Sequence, residues 1–75
     1  MTLKELKPKY ENLEIYFDRE GFGLLEVPQK MKYDFALTMY ADRKVIFSED
    51  HDDRESTEVL LENDQQHRKR KNFSI

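Results

Sequence analysis

The stretch Asn12-Leu13-Glu14-Ile15-Tyr16-Phe17-Asp18 decides the fold. Leu13, Ile15 and Phe17 alternate with Glu14, Tyr16 and Asp18. A repeat of two buries one set of side chains and leaves the other outside, so the pattern predicts a half-buried strand. The following Asp18-Arg19-Glu20-Gly21-Phe22-Gly23 holds both glycines of the chain. Glycine takes positive φ without a steric cost, and the segment reads as a turn. Leu24-Leu25-Glu26-Val27 forms a short return strand, which Pro28 stops.

Toward the N-terminus, Thr2 can offer its hydroxyl to an orphan amide while Glu5, three residues on, completes a capping box. Leu3, Leu6 and Tyr10 then share one face of a short helix. Pro8 shortens or kinks that helix, because its ring removes an amide and crowds the preceding turn. Toward the C-terminus, residues 29–34 read as a loop. Phe35, Leu37 and Met39 alternate with Ala36, Thr38 and Tyr40 as in a strand, whereas Met31, Phe35 and Met39 also fit a helix entered at Pro28. The strand is favoured, since Asp42-Arg43 then makes a tight connection to a strand at Val45-Ile46-Phe47. Residues 49–55 lack any apolar side chain and read as an exposed loop. Thr57 to Glu62 fits a final strand or one helical cycle capped by Ser56. The strand followed by a mobile tail is preferred, because nothing apolar continues a helical face between Leu61 and Phe73.

The expected fold class is therefore α+β: a short N-terminal helix, then a small antiparallel β-sheet of about four to five strands. With 75 residues, the chain allows one domain with a thin core, here residues 1–64, and a basic flexible tail over 65–75. Cysteine is absent, which excludes disulfides, thiolate metal sites and cysteine nucleophiles. Neither a signal peptide nor a membrane span is visible, and the expected location is the cytoplasm.

Charge is segregated along the chain. Residues 1–48 carry eight acidic and eight basic side chains, whereas residues 49–64 carry eight acids against Arg54 alone. Residues 65–75 carry four bases and no acid, so the net charge of −3 conceals an acidic segment and a basic one. Asp50-His51-Asp52-Asp53 invites a metal reading. Counted from Asp50, however, the glycine and glutamate that a calcium loop needs at its sixth and twelfth positions fall on Glu55 and Leu61, and the expectation is no metal and no cofactor. Neither histidine lies beside an apolar run, and Ser48, Ser56 and Ser74 lie in polar or terminal segments. No catalytic constellation forms and no enzyme is expected.

Two binding readings remain. Glu49, Asp50, Asp52, Asp53, Glu55 and Glu58 can act as carboxylate acceptors for arginine and lysine of a protein with a basic nucleic-acid groove, in effect mimicking phosphates. Alternatively, Arg68, Lys69, Arg70 and Lys71 can pair with phosphates while Tyr16 and Tyr40 stack on bases. A third reading, a structural or homo-oligomeric subunit, follows from the thin core and unpaired strand edges.

Thr2-Leu3-Lys4-Glu5-Leu6, Leu13-Glu14-Ile15-Tyr16 and Asp18-Arg19-Glu20-Gly21 together resemble the opening of small accessory proteins of phages and mobile elements of Gram-positive bacteria. That resemblance implies a short helix followed by a hairpin. It also implies a setting in which small acidic proteins bind and disable host machinery, anti-CRISPR and other anti-defence inhibitors among them. The basic run Arg68 to Lys71 departs from what a phosphate mimic needs.

Overall fold

The computed structural model describes residues 1–19 and 27–72. Four strands, β1 (Asn12–Phe17), β2 (Gln29–Lys32), β3 (Val45–His51) and β4 (Ser56–Leu61), form one sheet in the order β2-β1-β4-β3. Helix α1 (Tyr33–Tyr40) lies between β2 and β3 in the chain, and helix α2 (Asp64–Asn72) follows β4. The α+β class is as expected, but the sheet is mixed rather than antiparallel. β1 pairs with β2 and β3 with β4 in antiparallel fashion, while the central strands β1 and β4 run parallel. β2 and β3 therefore point the same way at opposite edges, and α1 is the crossover of a split β-α-β unit whose two strands enclose β1 and β4.

Strand β1 follows the alternation of its sequence. The parallel register sets Leu13, Ile15 and Phe17 beside Thr57, Val59 and Leu61, and these six side chains floor the core. Leu3, Leu6 and Ala36 complete its buried apolar set, with Met31, Tyr33, Leu37, Tyr40 and Val45 packed around it. The return strand expected at residues 24–27 falls outside the described residues except for Val27, which is exposed and in no strand. Residues 29–32, expected as a loop, instead pair with β1 as Asn12 to Lys32, Leu13 to Met31, Glu14 to Lys30 and Ile15 to Gln29. With Met31 its single apolar residue, β2 has no local signal of its own. Lysines on such an edge discourage pairing with other chains.

The segment favoured as a strand over 35–40 is helix α1. Tyr33, Ala36, Leu37 and Tyr40 recur at the spacing of one helical face, and these are its inward side chains. Ala36 is fully buried, whereas Phe35 and Met39 face outward. The Tyr33 hydroxyl donates to the Leu6 carbonyl at 2.8 Å, tying the N-terminal segment to the start of α1. The helix expected at the N-terminus is only a single 3-10 turn, Leu3–Glu5. Glu5 does reach back to the Thr2 amide at 2.9 Å. Leu6 is nevertheless extended, and Pro8 cannot supply the amide that a longer helix would use. Beyond this turn, Met1 to Leu3 run beside residues 43–45: the Leu3 amide donates to the Arg43 carbonyl at 2.9 Å and the Val45 amide to the Met1 carbonyl at 2.8 Å.

β3 extends well past Phe47, through residues first read as a loop, and carries a bulge at Ile46. Val45 opposes Leu61 and Phe47 opposes Leu60. In an unbroken strand residues 45 and 47 would share a face. The extra residue sends Val45 into the core and turns Phe47, Glu49 and His51 to the opposite side.

Helix α2 covers Asp64–Asn72, so residues 65–72 of the tail expected over 65–75 are helical. No residue of Asp64–Asn72 is apolar, so polar contacts hold this helix. Asn63 and Gln66 cap it reciprocally: the Gln66 amide donates to Asn63 Oδ1 at 2.8 Å and the Asn63 amide to Gln66 Oε1 at 2.9 Å. Asn63 Nδ2 also donates to the Asp18 carbonyl at 3.0 Å, and Gln66 Nε2 to Asp18 Oδ2 at 2.8 Å. Arg43 pairs with Asp64. The main anchor is Glu62, which is 3% exposed. Its carboxylate receives Arg70 Nη2 at 2.7 Å, the Lys44 amide at 2.8 Å and contacts His67 Nδ1 at 2.9 Å. Among the described residues, no helix is long and apolar enough to cross a membrane.

Hydrogen bonds from Arg70, then from the Lys44 amide and His67, hold the Glu62 carboxyl at about 2, below its ordinary 4.5. Because the folded state depresses this group, its stabilisation is complete above pH 4.5 and fades as pH falls toward 2. At about 1.4 kcal/mol per unit, the contribution is on the order of 3 kcal/mol. Urea unfolding between pH 6 and pH 2.5 should show that loss in the parent chain and a flatter profile in Glu62→Gln. Parallel profiles would mean that another group controls acid unfolding.

Candidate functional site

The covered face of the sheet holds the core; the other face carries chemistry. Three rows of side chains cross it. Glu14 is paired with Lys30 on β2 and Glu58 on β4, and Glu58 with Glu49 on β3. One row thus reads Lys30-Glu14-Glu58-Glu49. On one side lies an apolar row, Tyr16-Leu60-Phe47. On the other, His51 is paired with Ser56. Phe47 is 51% exposed, so the β3 side of this face meets solvent.

Three carboxylates directly abreast in neighbouring strands repel one another. Glu14 is buried and receives the Ser56 hydroxyl and Arg54 Nη1, the latter at 3.3 Å. Arg54 Nη2 stands 4.0 Å from Glu58, whose Oε2 is 3.4 Å from His51 Nε2. Glu49 meets only His51, at 4.0 Å, as an ion-pair partner among the described residues. Neutralisation therefore declines from Glu14 outward to Glu49.

The six carboxylates expected to form one acidic surface are divided by the hairpin. Glu49 and Glu58 stand on the open face. Asp50, paired with Thr57 in register, is on the opposite face and accepts the Thr57 hydroxyl at 2.7 Å. Asp52 is held by Lys9 Nζ at 2.7 Å and by the Tyr10 hydroxyl. Those same bonds lower the Asp52 carboxyl and raise Lys9 and Tyr10. Asp53 and Glu55 are exposed at the tip, without an ion pair among the described residues. Glu55 has φ of 49°, the left-handed conformation that lets four residues close the β3–β4 hairpin. The run Asp50-His51-Asp52-Asp53 is thus pulled apart: strand geometry sends Asp50 and His51 to opposite faces.

The basic residues are likewise divided. Arg70 is committed to Glu62 and to the Asp42 carbonyl, whereas Arg68 and Lys69 are exposed on α2, which also includes Lys71. Tyr40 is half-buried, with its ring 5.2 Å from Phe17 in an edge-on contact, Arg43 5.5 Å from its centroid and its hydroxyl bonded to Gln29. It therefore cannot stack on a base without leaving the core margin. Tyr16 stays on the open face beside Leu60. The alternation in the sequence puts Glu14 on the outward side of β1 but does not bring it to Glu58, and it gives no sign that Phe47, His51 and Arg54 belong to the same face. The β1–β4 and β3–β4 registers together unite them.

Comparison with known protein families, curated proteins and solved structures finds no match to the chain.

Glu49→Gln removes the least compensated member of a repulsive row and should leave stability unchanged or raise it by about 0.2–1 kcal/mol, with the gain shrinking as salt screens the row. Thermal melts at two ionic strengths measure this. A loss above about 1 kcal/mol would show that Glu49 supports the fold.

Proposed function

We propose that the protein is a non-catalytic binding module that docks its β3–β4 hairpin and open sheet face onto a basic surface of another protein. The observation that carries this reading is the least compensated end of the carboxylate row, Glu49, set beside the exposed Phe47 and continued by Asp53 and Glu55 at the hairpin tip. An arginine or lysine arriving there relieves repulsion already built into the free protein, and Phe47 supplies an apolar anchor of the kind that dominates interface energetics. The contact set narrows to Glu49, Asp53, Glu55 and Glu58, with Asp50 and Asp52 serving the hairpin itself. A nucleic-acid-binding groove in a host protein fits such carboxylates, which is the mode of action expected of an anti-defence inhibitor carried by a phage or mobile element.

A second reading, nucleic-acid binding through α2, rests on Arg68 and Lys69, both exposed on one short helix. It lacks the aromatic platform of Tyr40 and the free charge of Arg70.

Affinity capture from a nuclease-treated bacterial lysate, with chelator present and at two salt concentrations, separates these readings. The parent chain should retain a basic nucleic-acid-binding protein, more weakly at high salt. Glu49→Gln combined with Asp53→Asn and Glu55→Gln should lose most of it, as should Phe47→Ala. Retention unaffected by those changes would overturn the docking proposal. Retention of DNA that disappears in Arg68→Gln combined with Lys69→Gln would install the second reading.

A further inference from the structure

Glu49 and Glu58 face each other across β3 and β4, and His51 stands two residues further along β3 on the same side. One ligand atom from each lies within 4.8 Å of the others. We propose that these three side chains form a binding site for a divalent transition cation of the Zn²⁺ type, with its remaining coordination positions open on the exposed sheet face.

Three observations converge. First, His51 Nε2 is shielded from solvent and has no hydrogen-bond partner among the described residues. A shielded polar atom normally has a partner, and an imidazole nitrogen left without one offers a lone pair to a cation. Second, the spacing suits a small ion. A tetrahedral cation with bonds of about 2.0–2.1 Å holds its donors about 3.3–3.4 Å apart. His51 Nε2 and Glu58 Oε2 are already 3.4 Å apart, Glu49 Oε2 is 4.0 Å from His51 Nε2, and the three ligand atoms lie within 4.8 Å of one another. Glu49 is exposed, so a side-chain rotation suffices. Third, the cation supplies the positive charge that the outer end of the row lacks. Arg54 reaches Glu14 and Glu58, whereas among the described residues Glu49 has only His51.

The donor set selects the class of ion. One imidazole with two carboxylates suits Zn²⁺, Mn²⁺ or Fe²⁺ better than Ca²⁺ or Mg²⁺, which favour oxygen alone. Two adjacent strands fix the backbones of all three residues, so little ordering is required on binding. Three protein ligands leave at least one position for water or for a group from another molecule. This site differs from the consecutive run Asp50-His51-Asp52-Asp53, whose residues the strand disperses. It shares Glu49 and Glu58 with the proposed docking face, but its test concerns the chain without a partner, and the capture experiment with chelator present reads docking without the ion.

Calorimetric titration of the full chain with Zn²⁺ at neutral pH, in a buffer that does not chelate it, tests the site. Nitrogen-15 spectra of the two imidazoles should be recorded alongside. The expected result is one equivalent bound, with a shift of the His51 ring nitrogens and none at His67. His51→Gln should weaken binding at least about tenfold, and so should Glu49→Gln, while Asp53→Asn at the hairpin tip leaves it unchanged. Glu49→Gln changes an exposed residue, and circular dichroism confirms its fold, so it decides the matter if His51→Gln does not fold. Mg²⁺ at equal concentration should leave the His51 ring unshifted. The proposal is overturned if no stoichiometric binding occurs, if binding survives Glu49→Gln, or if the shifts centre on His67.

Discussion

The parallel pairing of β1 with β4 governs the rest of the molecule. It sets Leu13, Ile15 and Phe17 against Thr57, Val59 and Leu61, and so provides one continuous apolar floor for α1 and the N-terminal turn. The same register brings Glu14 beside Glu58 on the reverse side. Hydrophobic burial on one face thus enforces electrostatic repulsion on the other: a shift of one residue would relieve the carboxylates only by exposing the core. The charged row is a consequence of a fold-defining contact, and among the described residues Lys30, Arg54 and His51 are the groups placed to offset it.

Charge serves two separate purposes here. Toward α2 it is structural. Glu62, Arg70, Arg43 and Asp64 fasten a helix that has no apolar face and is far too short to persist alone in water. Toward the β3–β4 hairpin tip it is left partly unspent, at Glu49, Asp53 and Glu55. Formal composition does not separate these uses, since the same acidic segment contains both Glu62 and Asp53. Burial separates them, and burial depends on which residues the strands bring together.

The legible parts of the fold were those with a local signal. The alternation from Leu13 to Phe17, the β-branched and aromatic run from Val45 and the stretch after Ser56 are all strands, as their local patterns imply. β2 was missed because Gln29-Lys30-Met31-Lys32 becomes a strand only by bonding to β1. α1 was misread because Phe35, Leu37 and Met39 alternate as a strand would, while the face that matters is Tyr33, Ala36, Leu37 and Tyr40; a small, fully buried alanine carries little weight in an apolar pattern. α2 reads as a tail in the sequence because it carries no apolar stripe, and a polar clasp closes it instead. Of the candidate site, the acidic segment was evident. Its division into facing, tip and structural carboxylates was not, because strand parity and the bulge at Ile46 decide it.

That bulge makes surface identity depend on one residue. β3 is an edge strand, its beginning flanked by Met1 to Leu3 and its remainder bearing Ile46 and Phe47 next to acidic residues. An irregular, charged edge is a poor template for adding another strand. Were Ile46 taken into the regular ladder instead, with Val45 kept in the core, Ser48 and Asp50 would exchange sides with Phe47, Glu49 and His51; were it deleted, Val45 would join Phe47 directly and both faces would stand as they are. The bulge therefore absorbs one surplus residue at the sheet edge while the core and the outward face both keep their places.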